Sequence, residues 1–87
     1  MNEDTRALIA NKFRNTPLGF SRIKKNLGIL NYSNEETKKY LRNIILSTPL
    51  GDIEGKGKNY YFKCTINDVV LTVNSQTFTV ITAKRVR

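Results

Sequence analysis

Between Gly55 and Lys63 the chain reads GKGKNYYFK, which gathers Lys56, Lys58 and Lys63 around Asn59 and three consecutive rings, Tyr60, Tyr61 and Phe62. Ammonium groups neutralise phosphate and aromatic faces stack on unpaired bases, so this combination suits a surface for single-stranded nucleic acid or RNA. An extended chain sends successive side chains to opposite faces. Alternation therefore groups Tyr60, Phe62 and Cys64 on one side, and Tyr61, Lys63 and Thr65 on the other. The first group reads as core, which leaves Tyr61 as the ring expected at the surface.

A second basic run, Lys84 and Arg85, follows Thr82 near the end of the chain. Basic groups without histidine can cleave RNA by activating the 2′-hydroxyl and stabilising a charge-rich transition state, with a tyrosine assisting proton transfer. Tyr61, Lys63, Thr82, Lys84 and Arg85 would form such a set if they shared an open sheet face. Phosphate contacts are expected from Lys58, Lys63, Lys84 and Arg85, and hydrogen bonds from Asn74 and Thr82. Lys56 and Asn59, with Arg22, Lys24 and Lys25 from the N-terminal half, complete the expected binding surface.

Other chemistries are excluded by residue type. Histidine is absent, which removes histidine triads and the common zinc sites. Cys64 is the only cysteine, so neither an intrachain disulfide nor a thiolate metal site can form. Asp52 and Glu54 alternate beside Lys56 and Lys58, and read as a neutralised surface patch rather than a cation site. GDIEGKG superficially suggests a phosphate-binding loop, which needs four residues between its glycines, a Ser or Thr after the lysine, and a helix next. Here three residues intervene, Gly57 follows and a strand comes next, so the motif fails. No metal and no cofactor is expected.

The chain has 87 residues and a net charge of +8, enough for one domain, residues 1–87, and biased toward an anionic partner. Neutralising phosphates releases condensed counterions, which favours a polyanion. The charge is segregated: residues 5–34 carry six cations and no carboxylate, and from Gly55 onward Asp68 is the only acid. Asn2, Glu3 and Asp4 do not open a signal segment, and no apolar run reaches the roughly 18 residues that span a bilayer. A cytoplasmic protein without a membrane partner is expected.

The elements that must position these residues follow from periodicity. Leu8, Ile9 and Phe13, with Ala7 and Ala10 nearby, predict a helix over 5–14. Phe20, Ile23 and Leu27 predict a second that ends at Gly28. Ser33 and Glu36 form a capping box that opens a third, with Leu41, Ile44 and Ile45 as its apolar stripe and Glu35 spaced to pair with Lys39. TPLG occurs at 16–19 and 48–51 in dissimilar contexts, and reads as turn punctuation rather than a repeat.

After Gly51 the period becomes strand-like, with strands predicted over 59–65, 69–74 and 78–84 in an antiparallel meander. The two glycines of 53–58 favour a loop over an edge strand. In the last strand Thr79, Ile81 and Ala83 oppose Phe78, Val80, Thr82 and Lys84, and either set could face the core. The expected class is α+β: about three N-terminal helices, within 5–46, packed on one face of a C-terminal three- to four-stranded antiparallel sheet, within 53–85.

GKNYY, LTVNSQTF at 71–78 and VITA at 80–83 resemble the signature of a small uncharacterised family of bacterial domains. The resemblance implies that GKNYY and NSQTFTVIT belong to one compact unit, with Lys58, Asn59, Asn74, Ser75, Thr82 and Arg85 on a shared surface. More distantly, helices followed by a sheet ending in an ITA-like strand are similar to endoribonuclease toxins of the barnase, colicin and RelE type. The first two thirds also resemble a winged helix, with 33–46 as recognition helix, carrying Lys38, Lys39 and Arg42, and GKGKNYYF as wing.

These features predict a small basic protein that interacts with nucleic acid, RNA in preference to DNA, with a metal-independent endoribonuclease of toxin type as its enzymatic form. The alternatives are a winged-helix DNA binder and a small inhibitor from a mobile element that binds an acidic protein. The sequence leaves the oligomeric state open.

Overall fold

Asn2 sets the first element. In the computed structural model, which describes residues 1–86, its Oδ1 accepts the Thr5 N–H at 2.7 Å and opens α1, Glu3–Lys12. This cap starts the helix two residues earlier than the apolar spacing suggests, and brings Glu3 and Asp4 into the first turn, where the helix dipole favours anions. The helix also stops earlier. Phe13 turns extended and Arg14 bridges to Thr79, exchanging hydrogen bonds with the Phe78 carbonyl at 2.9 Å and the Val80 N–H at 2.8 Å. Ile9 and Ala10 are buried, whereas Leu8, expected on the same stripe, is 47% exposed.

Helix α2, Pro17–Leu27, has Thr16 as its cap and proline in its first turn, where no N–H is needed. It ends in a Schellman motif at Gly28, φ 71°, with the Ile29 N–H donating to Lys24 and the Gly28 N–H to Lys25. Helix α3, Asn34–Ser47, opens on the predicted capping box and buries Thr37, Leu41, Ile44 and Ile45. Glu35 pairs with Lys38 at 3.8 Å rather than with Lys39, both being one turn away on a solvated face.

The capping box makes stability depend on pH. The Ser33 backbone N–H, then its hydroxyl contact, hold the Glu36 carboxyl below its ordinary value, with Lys24 adding a smaller pull in the same direction. A lowered carboxylate pKa stabilises the fold above the unfolded-state value, and that stabilisation is lost as pH falls through the folded-state value. Thermal melts of the wild type and Glu36→Gln should therefore differ at neutral pH and converge in acid. A constant offset down to the lowest pH would contradict the capping role.

A 3-10 turn, Leu50–Asp52, leads into four strands: β1 Ile53–Lys56, β2 Asn59–Cys64, β3 Val69–Asn74 and β4 Val80–Arg85. They form one antiparallel meander in the order β1-β2-β3-β4. The segment expected as a loop is thus the edge strand β1. Its two glycines are compatible with pairing because Gly57, φ 60°, turns the chain with Lys58 in a two-residue hairpin that sets Lys56 opposite Asn59. Gly55 lies under the Tyr60 ring, whose nearest atoms would be 3.6 Å from an added Cβ.

The last strand starts later than expected, at Val80. Phe78 adopts φ 59° and closes the preceding loop by donating its N–H to the Asn74 carbonyl at 2.9 Å. Between Thr72 and Val73 the register slips by one: Val73 pairs with Val80, but Thr72 pairs with Thr82. Ile81 is the extra residue of this bulge and is 51% exposed, so Val80 and Ala83 both reach the core. That slip resolves the ambiguous face of β4, which strict alternation could not.

The buried faces of the helices meet one side of the sheet: α2 packs on β4, α3 lies over β2 and β3, and α1 rests on α3. Ile23, Leu27, Leu41, Ile44, Ile45, Phe62 and Leu71 are the large residues sealed between these layers. The architecture is α+β, with three helices on one face of a four-stranded antiparallel sheet. Among the described residues, no helix is long and apolar enough to cross a membrane.

Candidate functional site

Among the described residues no helix covers the opposite face of the sheet, and the register arranges its side chains in rows. Lys56, Asn59 and Asn74 form the row next to the Gly57 turn; Glu54, Tyr61, Thr72 and Thr82 form the next; Lys63, Val70 and Lys84 form the third. Neighbouring strands lie about 4.8 Å apart, which places Lys63 and Lys84 about 10 Å from each other across Val70. Glu54, Lys56, Lys58, Asn59, Tyr61, Lys63 and Val70 border a shallow concavity of about 520 Å³. Thr72, opposite Tyr61 on β3, is buried and Tyr61 is half-buried.

Charge on this face is unbalanced. Lys56, Lys58, Lys63 and Lys84 stand against Glu54, whose Oε1 lies 3.3 Å from Lys63 Nζ. Both partners are more than half exposed, so the pair contributes little to stability and an incoming phosphate can compete for the ammonium group. Sequence reasoning placed Glu54 with Lys56 and Lys58, but cross-strand pairing gives it to Lys63. It also passed over Val70 and Thr72, because an apolar run in a central strand reads as core on both sides. Their positions two apart in β3 were the available signal.

The expected cleavage set divides. Tyr61, Lys63, Thr82 and Lys84 lie on the open face, whereas alternation turns Arg85 toward the helices. There its Nη2 donates to the Leu27 carbonyl at 2.8 Å, at the C-terminal end of α2, where a cation also suits the helix dipole. Asn74 is not available as a ligand acceptor either. Its Oδ1 accepts the Gln76 N–H at 2.8 Å, the Thr77 N–H at 2.9 Å and the Thr77 hydroxyl at 3.2 Å, which commits it to the β3–β4 loop. Ser75 donates both its N–H and its hydroxyl to the Lys58 carbonyl, at 2.8 and 2.9 Å, and ties that loop to the Gly57 turn.

The cations of the helices are elsewhere. Lys24 Nζ donates to Asn34 Oδ1 at 2.9 Å and links α2 to α3. Arg22 and Lys25 are exposed on α2, in the layer behind the sheet, so neither joins the surface around Tyr61. On α3, Arg42 donates its Nε to the Ala10 carbonyl at 3.0 Å and lies 5.7 Å from the centre of the Phe13 ring, joining α1 to α3. Two of the three cations expected on a recognition helix, Lys38 and Arg42, therefore make contacts within the fold. Among the described residues, no group of three or more acidic, His or Cys side chains is placed to hold a metal ion.

Fold and face together define a small α+β protein with one sheet surface sealed by helices and the other open and basic. The chain belongs to a family of proteins of unknown function, DUF3781, whose family model matches residues 7–84. Comparison with curated proteins and with solved structures gave no match.

Proposed function

We propose that the protein binds single-stranded RNA on the open face of its sheet. The observation that carries this reading is Tyr61 near the middle of that face, bordered by Lys56, Lys58 and Lys63 and with Lys84 two strands away. A base stacks on the ring while flanking phosphates meet the ammonium groups. Asn59 and Thr82 supply hydrogen-bonding groups for sugar hydroxyls, which favours RNA over DNA. Reading duplex DNA requires an element that projects into a groove. Here the β1–β2 hairpin has a two-residue turn held down by Ser75, and Arg42 of α3 is engaged with α1.

Metal-independent cleavage is the enzymatic form of the same proposal. Tyr61, Lys63, Thr82 and Lys84 combine a hydroxyl able to pass a proton with cations that stabilise added charge on phosphorus. The distant likeness to small endoribonuclease toxins belongs to this proposal. Fluorescence anisotropy with labelled single-stranded RNA across a salt series tests binding. Neutralising three or four phosphates predicts a log-log slope of about −2 to −3. Affinity that is absent or insensitive to salt would end the nucleic-acid reading. Incubation with total RNA in EDTA tests cleavage: fragments support it, and intact RNA at high protein excess restricts the function to binding.

A further inference from the structure

Glu54 is out of place on a surface for polyanions. It is the direct cross-strand partner of Tyr61, is 57% exposed, and borders the same concavity. Within a screening length of about 8 Å its charge repels every phosphate that approaches Lys63. A carboxylate in that position weakens RNA binding unless it makes a contact of its own. Opposed residues on paired strands lie about 5 Å apart, so a base stacked on Tyr61 brings its edge within reach of Glu54.

We infer, on the basis of the RNA-binding reading above, that Glu54 reads the base stacked on Tyr61 and selects guanine. An ionised carboxylate only accepts hydrogen bonds, and each oxygen offers two lone pairs. Oε1 can therefore keep Lys63 at 3.3 Å and still accept from a ligand. Guanine presents N1–H and N2–H side by side on its pairing edge, two parallel donors that match the two carboxylate oxygens. Adenine and cytosine each set one amino group beside an acceptor nitrogen, and uracil sets one N–H between two carbonyls. Only guanine meets both oxygens without placing an acceptor against the carboxylate. Lys63 holds the carboxylate in position, and Tyr61 supplies affinity without choice of base.

The test uses labelled oligouridines of about seven nucleotides, with a central G, A, C or inosine, measured by anisotropy against the wild type and Glu54→Gln. The central G should bind roughly tenfold tighter than A or C, as a bidentate contact implies. Inosine, which lacks the N2 amino group, should lose most of that gain. Glu54→Gln should erase the preference while leaving the other sequences bound at least as tightly as before. Salt-sensitive binding with no preference for the central base would overturn the inference and leave the RNA-binding reading standing. Uniform tightening by Glu54→Gln would also overturn it, reducing Glu54 to a counter-charge for Lys63. Absence of RNA binding would remove both. The wild-type inosine series decides the question even if the variant folds poorly.

Discussion

Replacing Phe62 by alanine is expected to lower stability by about 3–5 kcal/mol, the cost of deleting a buried aromatic and leaving a cavity. Phe62 is fully buried, pairs with Ile53 on one side and Leu71 on the other, and lies beneath α3. A small domain holds only about 5–15 kcal/mol in all, so this one change removes much of it. Urea denaturation should show a lower midpoint with little change in slope. Leucine at the same position keeps part of the volume and should cost less. A loss below about 1 kcal/mol for alanine would mean that this face of β2 is not the core.

Tyr61→Ala, one residue earlier, is expected to leave the fold intact and to weaken RNA affinity by about tenfold or more, since stacking contributes roughly 1–3 kcal/mol per base. Its salt slope should stay near the wild-type value, because no charge is lost. Lys84→Ala should instead reduce the slope by about 0.7, the loss of one phosphate contact to a single strand. Arg85→Ala provides the control. Its guanidinium caps the Leu27 carbonyl, so the variant should melt at lower temperature and leave the salt slope nearly unchanged. Tyr61→Phe separates stacking from proton transfer: binding is retained, and any cleavage that uses the phenol is lost. Equal losses of affinity in Tyr61→Ala and Arg85→Ala would refute the assignment of faces.

The division between Phe62 and Tyr61 was legible because strand geometry alternates regardless of what packs against it. The same rule misled at β4. Ile81 enters the bulge, so Val80 and Ala83 point the same way three residues apart, and no count along one strand reveals a residue inserted relative to its neighbour. The hydrogen bonds that Asn74 and Arg85 make within the fold lay beyond the sequence for a related reason. A polar side chain looks available until the carbonyl or N–H it serves is known, and Leu27 is 58 residues from Arg85.

Local rules were enough for the capping box at Ser33, the Gly28 stop, the change of period after Gly51 and the order of helices before strands, since each depends on neighbours within a turn or a strand. The strand character of β1, the slip at Ile81, the pairing of Glu54 with Lys63 and the withdrawal of Arg85 depend on which segments meet. Those meetings are long-range contacts, made when three helices bury one side of the sheet and leave the side carrying Tyr61 to solvent.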